Sequence, residues 1–106
     1  MNTDIFTNSE ILVIKNWHSV IANLGRLSLV DSREILNMEA DFMNLFDTAI
    51  ENNADEILLN YIRKILPSLS AMADKIEKGK RDTVDFYEIL LNLKSLLKGL
   101  IAHLEN

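Results

Sequence analysis

Residues 55–79 read DEILLNYIRKILPSLSAMADKIEKG, and within them Leu58, Ile62, Ile65, Leu69, Met72 and Ile76 recur at intervals of four and three without a break. That is the period of one helical face, and it runs straight through Pro67. Because the phase is kept across the proline, the spacing predicts one continuous helix from Asp55 to Lys78. It should bend at Pro67, whose nitrogen cannot donate to the Arg63 carbonyl. A reversal of the chain there would give a fifth helix instead. Gly79 supplies the left-handed residue that closes such a helix, and a stripe this long must be buried against other helices.

Outward from this segment the pattern recurs three times. A first helix is expected over 8–25: Thr7 and Glu10 have the spacing of a capping box, Ile14, Trp17, Ile21 and Leu24 form the stripe, and Gly25 ends it. A second, over 32–52, opens at Asp31 with Glu34 three residues on. Its stripe is Ile35, Met38, Phe42, Leu45 and Ala49, widened by Phe46 and Ile50, and Asn52-Asn53 marks the turn. The fourth, over 83–104, is capped by Asp82 and carries Phe86, Leu90, Leu93, Leu97, Leu100 and Leu104, with Gly99 allowing a close backbone approach. Nothing alternates with period two. Four helices joined by short loops imply an all-α, up-down-up-down antiparallel four-helix bundle, a single domain over 1–106 in which only the ends, residues 1–6 and 105–106, are expected to be disordered.

Composition narrows the chemistry. The 106 residues are 48% hydrophobic and include no cysteine, which removes disulfides, thiolate metal sites and thiol nucleophiles. The first residues carry no positive segment before an apolar one, and no apolar run approaches the roughly 18 residues of a membrane span. A soluble, cytoplasmic chain with no membrane partner is therefore expected. The net charge of −5 is uneven: residues 1–56 hold ten acids against three bases, and residues 57–106 hold six against eight. An acidic domain whose bases are not interleaved with aromatics argues against nucleic acid, and its first half would steer a basic protein partner.

Two polar residues interrupt the apolar arcs. His18 on the first helix and Glu39 on the second each lie near 40° from a core isoleucine at about 100° per residue, and a hairpin pivoting between Gly25 and Ser32 places them at one level. They should form a buried, hydrogen-bonded structural pair that fixes register, with the Pro67 layer and its serines Ser68 and Ser70 alongside. Two ligands are too few for a metal, and no nucleophile or anion cradle accompanies the pair, so neither a metal, a cofactor nor an enzymatic activity is expected. His103 falls in the last turn of the fourth helix, where a cation complements the helix dipole.

Function is then expected on the surface. Asp41, Asn44, Asp47, Thr48 and Glu51 lie opposite the core stripe of the second helix as an acidic ridge, while Val84, Tyr87 and Leu91 lie together off the stripe of the fourth. Asp41, Asp47, Glu51, Tyr87 and Leu91 are accordingly the candidate partner-binding residues of a small protein-binding module. Its composition is analogous to that of small acidic inhibitor and immunity proteins, and chaperone or adaptor roles belong to the same class. Core volume favours a monomer or a homodimer. A second reading attaches to the run Trp17-His18-Ser19-Val20-Ile21-Ala22-Asn23-Leu24-Gly25, which resembles the histidine phosphotransfer domains, themselves four-helix bundles. That resemblance would make His18 a phosphoacceptor in a signalling relay and would require its imidazole to be exposed.

Overall fold

The computed structural model describes residues 5–23 and 31–105, which form α1 (Asn8–Ala22), α2 (Ser32–Glu51), α3 (Glu56–Glu77) and α4 (Val84–Glu105). There is no strand among the described residues. α2 packs on α3, α3 on α4 and α4 on α1, giving a four-helix bundle 41 Å long and 22 by 21 Å across. A helix of 22 residues rises about 33 Å, so each of the longer helices spans most of the bundle.

Short polar side chains start each helix by satisfying its orphan amides. At α1 the capping box is complete: the Glu10 amide donates to Thr7 Oγ1 at 3.2 Å and the Thr7 amide to Glu10 Oε1 at 2.9 Å. The Glu34 amide donates to Asp31 Oδ1 at 2.9 Å, and the Leu58 amide to Asp55 Oδ1 at 2.8 Å. α4 departs from expectation, because its cap is Thr83 and not Asp82. Thr83 Oγ1 accepts from the Phe86 amide at 3.2 Å while donating to the Lys80 carbonyl at 2.9 Å. With Val84 the first helical residue, the cap falls at the position just before it, one past Asp82.

Both described turns use one closing device. Ala54 and Asn53 amides donate back to the Ala49 and Ile50 carbonyls, and Lys80 and Gly79 amides to those of Lys75 and Ile76. Asn53 (φ 57°) and Gly79 (φ 70°) occupy the left-handed position that this motif requires. α1 stops earlier than expected, at Ala22 with Asn23 as its cap, and the Asn23 side-chain amide holds the Ser19 carbonyl at 2.8 Å. Leu24, Gly25 and the connection 26–30 lie outside the described residues.

α3 is continuous through Pro67, as the unbroken phase requires. The proline is exposed, so the Arg63 carbonyl that loses its helical donor faces the solvent side, and the neighbouring Ser68 Oγ donates to the Lys64 carbonyl at 3.1 Å. The core is built from the expected stripes, with Ile14, Ile21, Ile35, Met38, Phe42, Ile62, Ile65, Leu69, Leu93 and Leu97 among those wholly buried. Phe6, placed outside the fold by its position, is buried as well, and the Asn52 side chain holds the adjacent Ile5 carbonyl at 2.7 Å. At the other end Glu105 belongs to α4 and pairs with Lys15 at 3.2 Å.

On one flank of α2 the buried arc is narrower than its apolar pattern. Phe46 is half-buried beneath the Arg63 guanidinium, 5.6 Å from the ring centroid, whereas Met43 and Ile50 are each 51% exposed. α3 covers α2 as far as Phe46 and no further.

Candidate functional site

The polar contact between the first two helices is not the expected one. His18 and Glu39 are each half-buried, and no hydrogen bond or ion pair joins them; among the described residues no polar side chain is fully buried. In their place Trp17 Nε1 donates to Asp41 Oδ2 at 2.7 Å. The level is right to within a residue, but the helices are rotated. One residue is about 100° of turn, so aiming the indole at α2 swings His18 away from it. Physically this orientation wins because the indole brings a large apolar body and an N–H that needs an acceptor, while the half-exposed Asp41 carboxylate stays partly hydrated.

Asp41 is therefore tied to α1 as a positioning acceptor at the half-exposed edge of α2. Replacing Trp17 by Phe should cost about 2 kcal/mol, since it removes a hydrogen bond to a charged group, and Asp41→Asn, which keeps an acceptor, should cost less. Urea unfolding of the two variants measures the difference. The serines beside Pro67 do not join a polar layer with Glu39 either: Ser68 faces α4 and accepts from the Asn92 amide at 3.5 Å.

His18, which the phosphotransfer resemblance would make the acceptor, has no hydrogen-bond partner among the described residues to orient its ring. Leu24 and Gly25, the end of that resemblance, are not among the residues described.

A polar cluster that the sequence reading missed joins α3 to α4. His103 Nε2 lies 3.1 Å from both Asp55 oxygens, and because a carboxylate only accepts, the Nε2–H donates. The same carboxylate caps α3. The Leu58 amide first, then the hydrogen bond and charge of His103 and the Ile57 amide, hold the Asp55 carboxyl below the ordinary carboxylate range, against the partial desolvation that raises it. Tyr61 sits beside the imidazole, its ring centroid 6.3 Å away, and presses on Gly99 so closely that a Cβ there would lie 2.7 Å from the ring. An open hollow lined by Ile57, Asn60, Tyr61 and Lys64 adjoins the cluster.

A carboxyl whose pKa is lowered by folding contributes stability that is present above its unfolded value of 3.8 and is lost as pH falls through the folded value. His103→Ala should therefore move the Asp55 titration upward only part of the way, because the Leu58 amide remains. Asp55→Ala should abolish the capping bond as well and cost about 1 kcal/mol near neutral pH. Carboxyl-detected NMR titration, with unfolding measured between pH 2 and 6, reads both.

The remaining candidates are at the surface. Asp47 and Glu51 are exposed in the last turns of α2, where the helix dipole is already negative, no base occupies the last turn, and neither acid has an ion-pair partner among the described residues. On α4, Val84 is 73% and Leu91 61% exposed, with the partly exposed Tyr87 between them on one face. The described residues contain no group of three or more His, Asp or Glu side chains able to hold a metal, and no described helix is long and apolar enough to cross a membrane. What the fold defines is an all-α four-helix bundle with a closed core and uncovered apolar faces on two helices. Compared with protein-family models, curated proteins and solved structures, the chain matches none.

Proposed function

We propose that this chain is a protein-binding module that acts by stoichiometric association, in the manner of an inhibitor, immunity protein, chaperone or adaptor. The observation that carries this reading is the exposed Val84–Tyr87–Leu91 face of α4, a helix whose own core stripe is already complete. Large apolar side chains gathered on one face of a small bundle are removed from water when another protein covers them, at roughly 25 cal/mol per Å². The acidic first half, including Asp47 and Glu51, favours encounter with a basic partner.

Affinity capture from the native host identifies the partner, and titration calorimetry then compares variants. Tyr87→Asp with Leu91→Asp should weaken binding by about 30-fold, since a charge placed in a desolvated contact costs 2 kcal/mol or more. Asp47→Lys with Glu51→Lys should slow association and reduce its dependence on salt. Thermal unfolding should change little in either case, because all four positions lie off the core. Unchanged affinity in both variants would remove the basis for this function.

A further inference from the structure

Leu36, Met43 and Ile50 stand seven residues apart along α2 and are 47%, 51% and 51% exposed. With Ala40 and Asp47 at the intermediate positions they draw one straight line down the helix, separate from the buried line of Ile35, Met38, Phe42, Leu45 and Ala49. A repeat of seven is the spacing at which one helix faces a second helix along its whole length. Among the described residues nothing in the bundle covers this line, each of its three large apolar side chains being about half exposed.

The line is also symmetric about its centre. Leu36 and Ile50 lie equally far from Met43, one on each side, so a second α2 laid antiparallel across it would place Met43 on Met43 and Leu36 on Ile50. The charges on its outer flank follow the same symmetry. Arg33 stands about 80° from the line near the N-terminal end and Glu51 on the same flank near the C-terminal end, at about 100° per residue. An antiparallel two-fold keeps like flanks together, and so brings Arg33 of each copy within about 3 Å, along the axis, of the other copy's Glu51. Glu51 then gains a cation that no described residue of its own chain provides, at the negative end of its helix, and the two helix dipoles run oppositely.

We infer that the exposed face of α2 is a homodimer interface, in which two copies pair antiparallel about Met43 with reciprocal Arg33–Glu51 ion pairs. The occupant is a second copy of this chain, because the two-fold by itself supplies both a matching apolar line and the opposite charge at each end. Its apolar line is separate from the α4 face proposed for a heterologous partner, and although Asp47 and Glu51 enter both readings, the mass of the chain by itself tests self-pairing apart from partner affinity.

Sedimentation equilibrium on the full chain tests it. The wild type should reach twice the 12.1 kDa chain mass in the micromolar range, and Met43→Asp should be monomeric with unchanged helicity. Arg33→Glu and Glu51→Arg should each raise the dissociation constant about tenfold or more, and the double variant Arg33→Glu/Glu51→Arg should restore it to within a few-fold. That restoration is specific to self-pairing, since a basic heterologous partner repelled by Glu51→Arg would not be recovered. Leu91→Asp should leave the mass unchanged. A wild type that stays monomeric to about 1 mM, where association would contribute little more than 4 kcal/mol, overturns the inference. So does a dimer that survives Met43→Asp, one dissociated by Leu91→Asp, or a double variant no better than its parents.

Discussion

Phe42→Ala is expected to lower stability by about 3–5 kcal/mol, the cost of deleting a buried aromatic ring and leaving part of its volume empty. Phe42 lies midway along α2, is wholly buried, and is the largest of the fully buried side chains. The core it belongs to includes Ile14, Ile35, Ile62 and Ile65, whose β-branched side chains have few rotamers with which to collapse into a gap. Against a total stability of order 5–15 kcal/mol the loss is large enough to lower the melting temperature by about 15 °C or more. Phe42→Leu should cost about a third as much, because most of the volume is kept. Ile50→Ala, half-exposed on the same helix, should change stability by less than about 0.5 kcal/mol under conditions where the chain is monomeric. Urea unfolding of the three variants provides the comparison. A loss below about 1 kcal/mol at Phe42 would mean that α2 meets the bundle through another face.

That contrast within one helix marks how far the sequence is legible. The four-three spacing of α3 and the capping residues Thr7, Asp31 and Gly79 act locally, so those helix starts and turns follow directly from residue order, although the cap of α4 falls at Thr83, one past Asp82. Rotation about a helix axis is different, since it depends on which side chain gains most by facing the neighbour. Trp17 outweighs His18 in that competition, and Asp41 becomes the acceptor in place of Glu39 although the level along the hairpin was nearly right. The Asp55–His103 pair could have been found by the same reckoning of levels, applied across the turn at Gly79. Lys75–Asp85, Ser68–Asn92, Tyr61–Gly99 and Asp55–His103 succeed one another down the α3–α4 hairpin in a single antiparallel register. Asp47, Glu51, Tyr87 and Leu91 stood out because they break the core period. The exposure of Met43 and Ile50 did not, because a widened apolar arc reads identically whether its own bundle or another molecule covers it.

Pro67→Ala should raise stability by about 2 kcal/mol and the melting temperature by about 10 °C, an unusually large gain for one exposed position. α3 continues from Glu56 to Glu77 through the proline, so alanine can take its place within an intact helix. The substitution returns the amide that donates to the Arg63 carbonyl and removes the ring that crowds it, together about 3 kcal/mol in a helix interior. Up to about 1 kcal/mol is given back, because proline also restricts the unfolded chain. Pro67→Gly separates these contributions, since it restores the donor but not the propensity, and should recover less than alanine by about 1 kcal/mol. Calorimetry measures all three proteins. If alanine destabilises instead, the helix path that the proline sets is required for the two halves of α3 to meet their neighbours together. Ser68–Asn92 and Lys75–Asp85, on the C-terminal side of the proline, would then be the contacts strained by a change in that path. Removing them by Asn92→Ala and Asp85→Ala should in that case abolish the difference between proline and alanine at position 67, a coupling that a double-mutant cycle resolves.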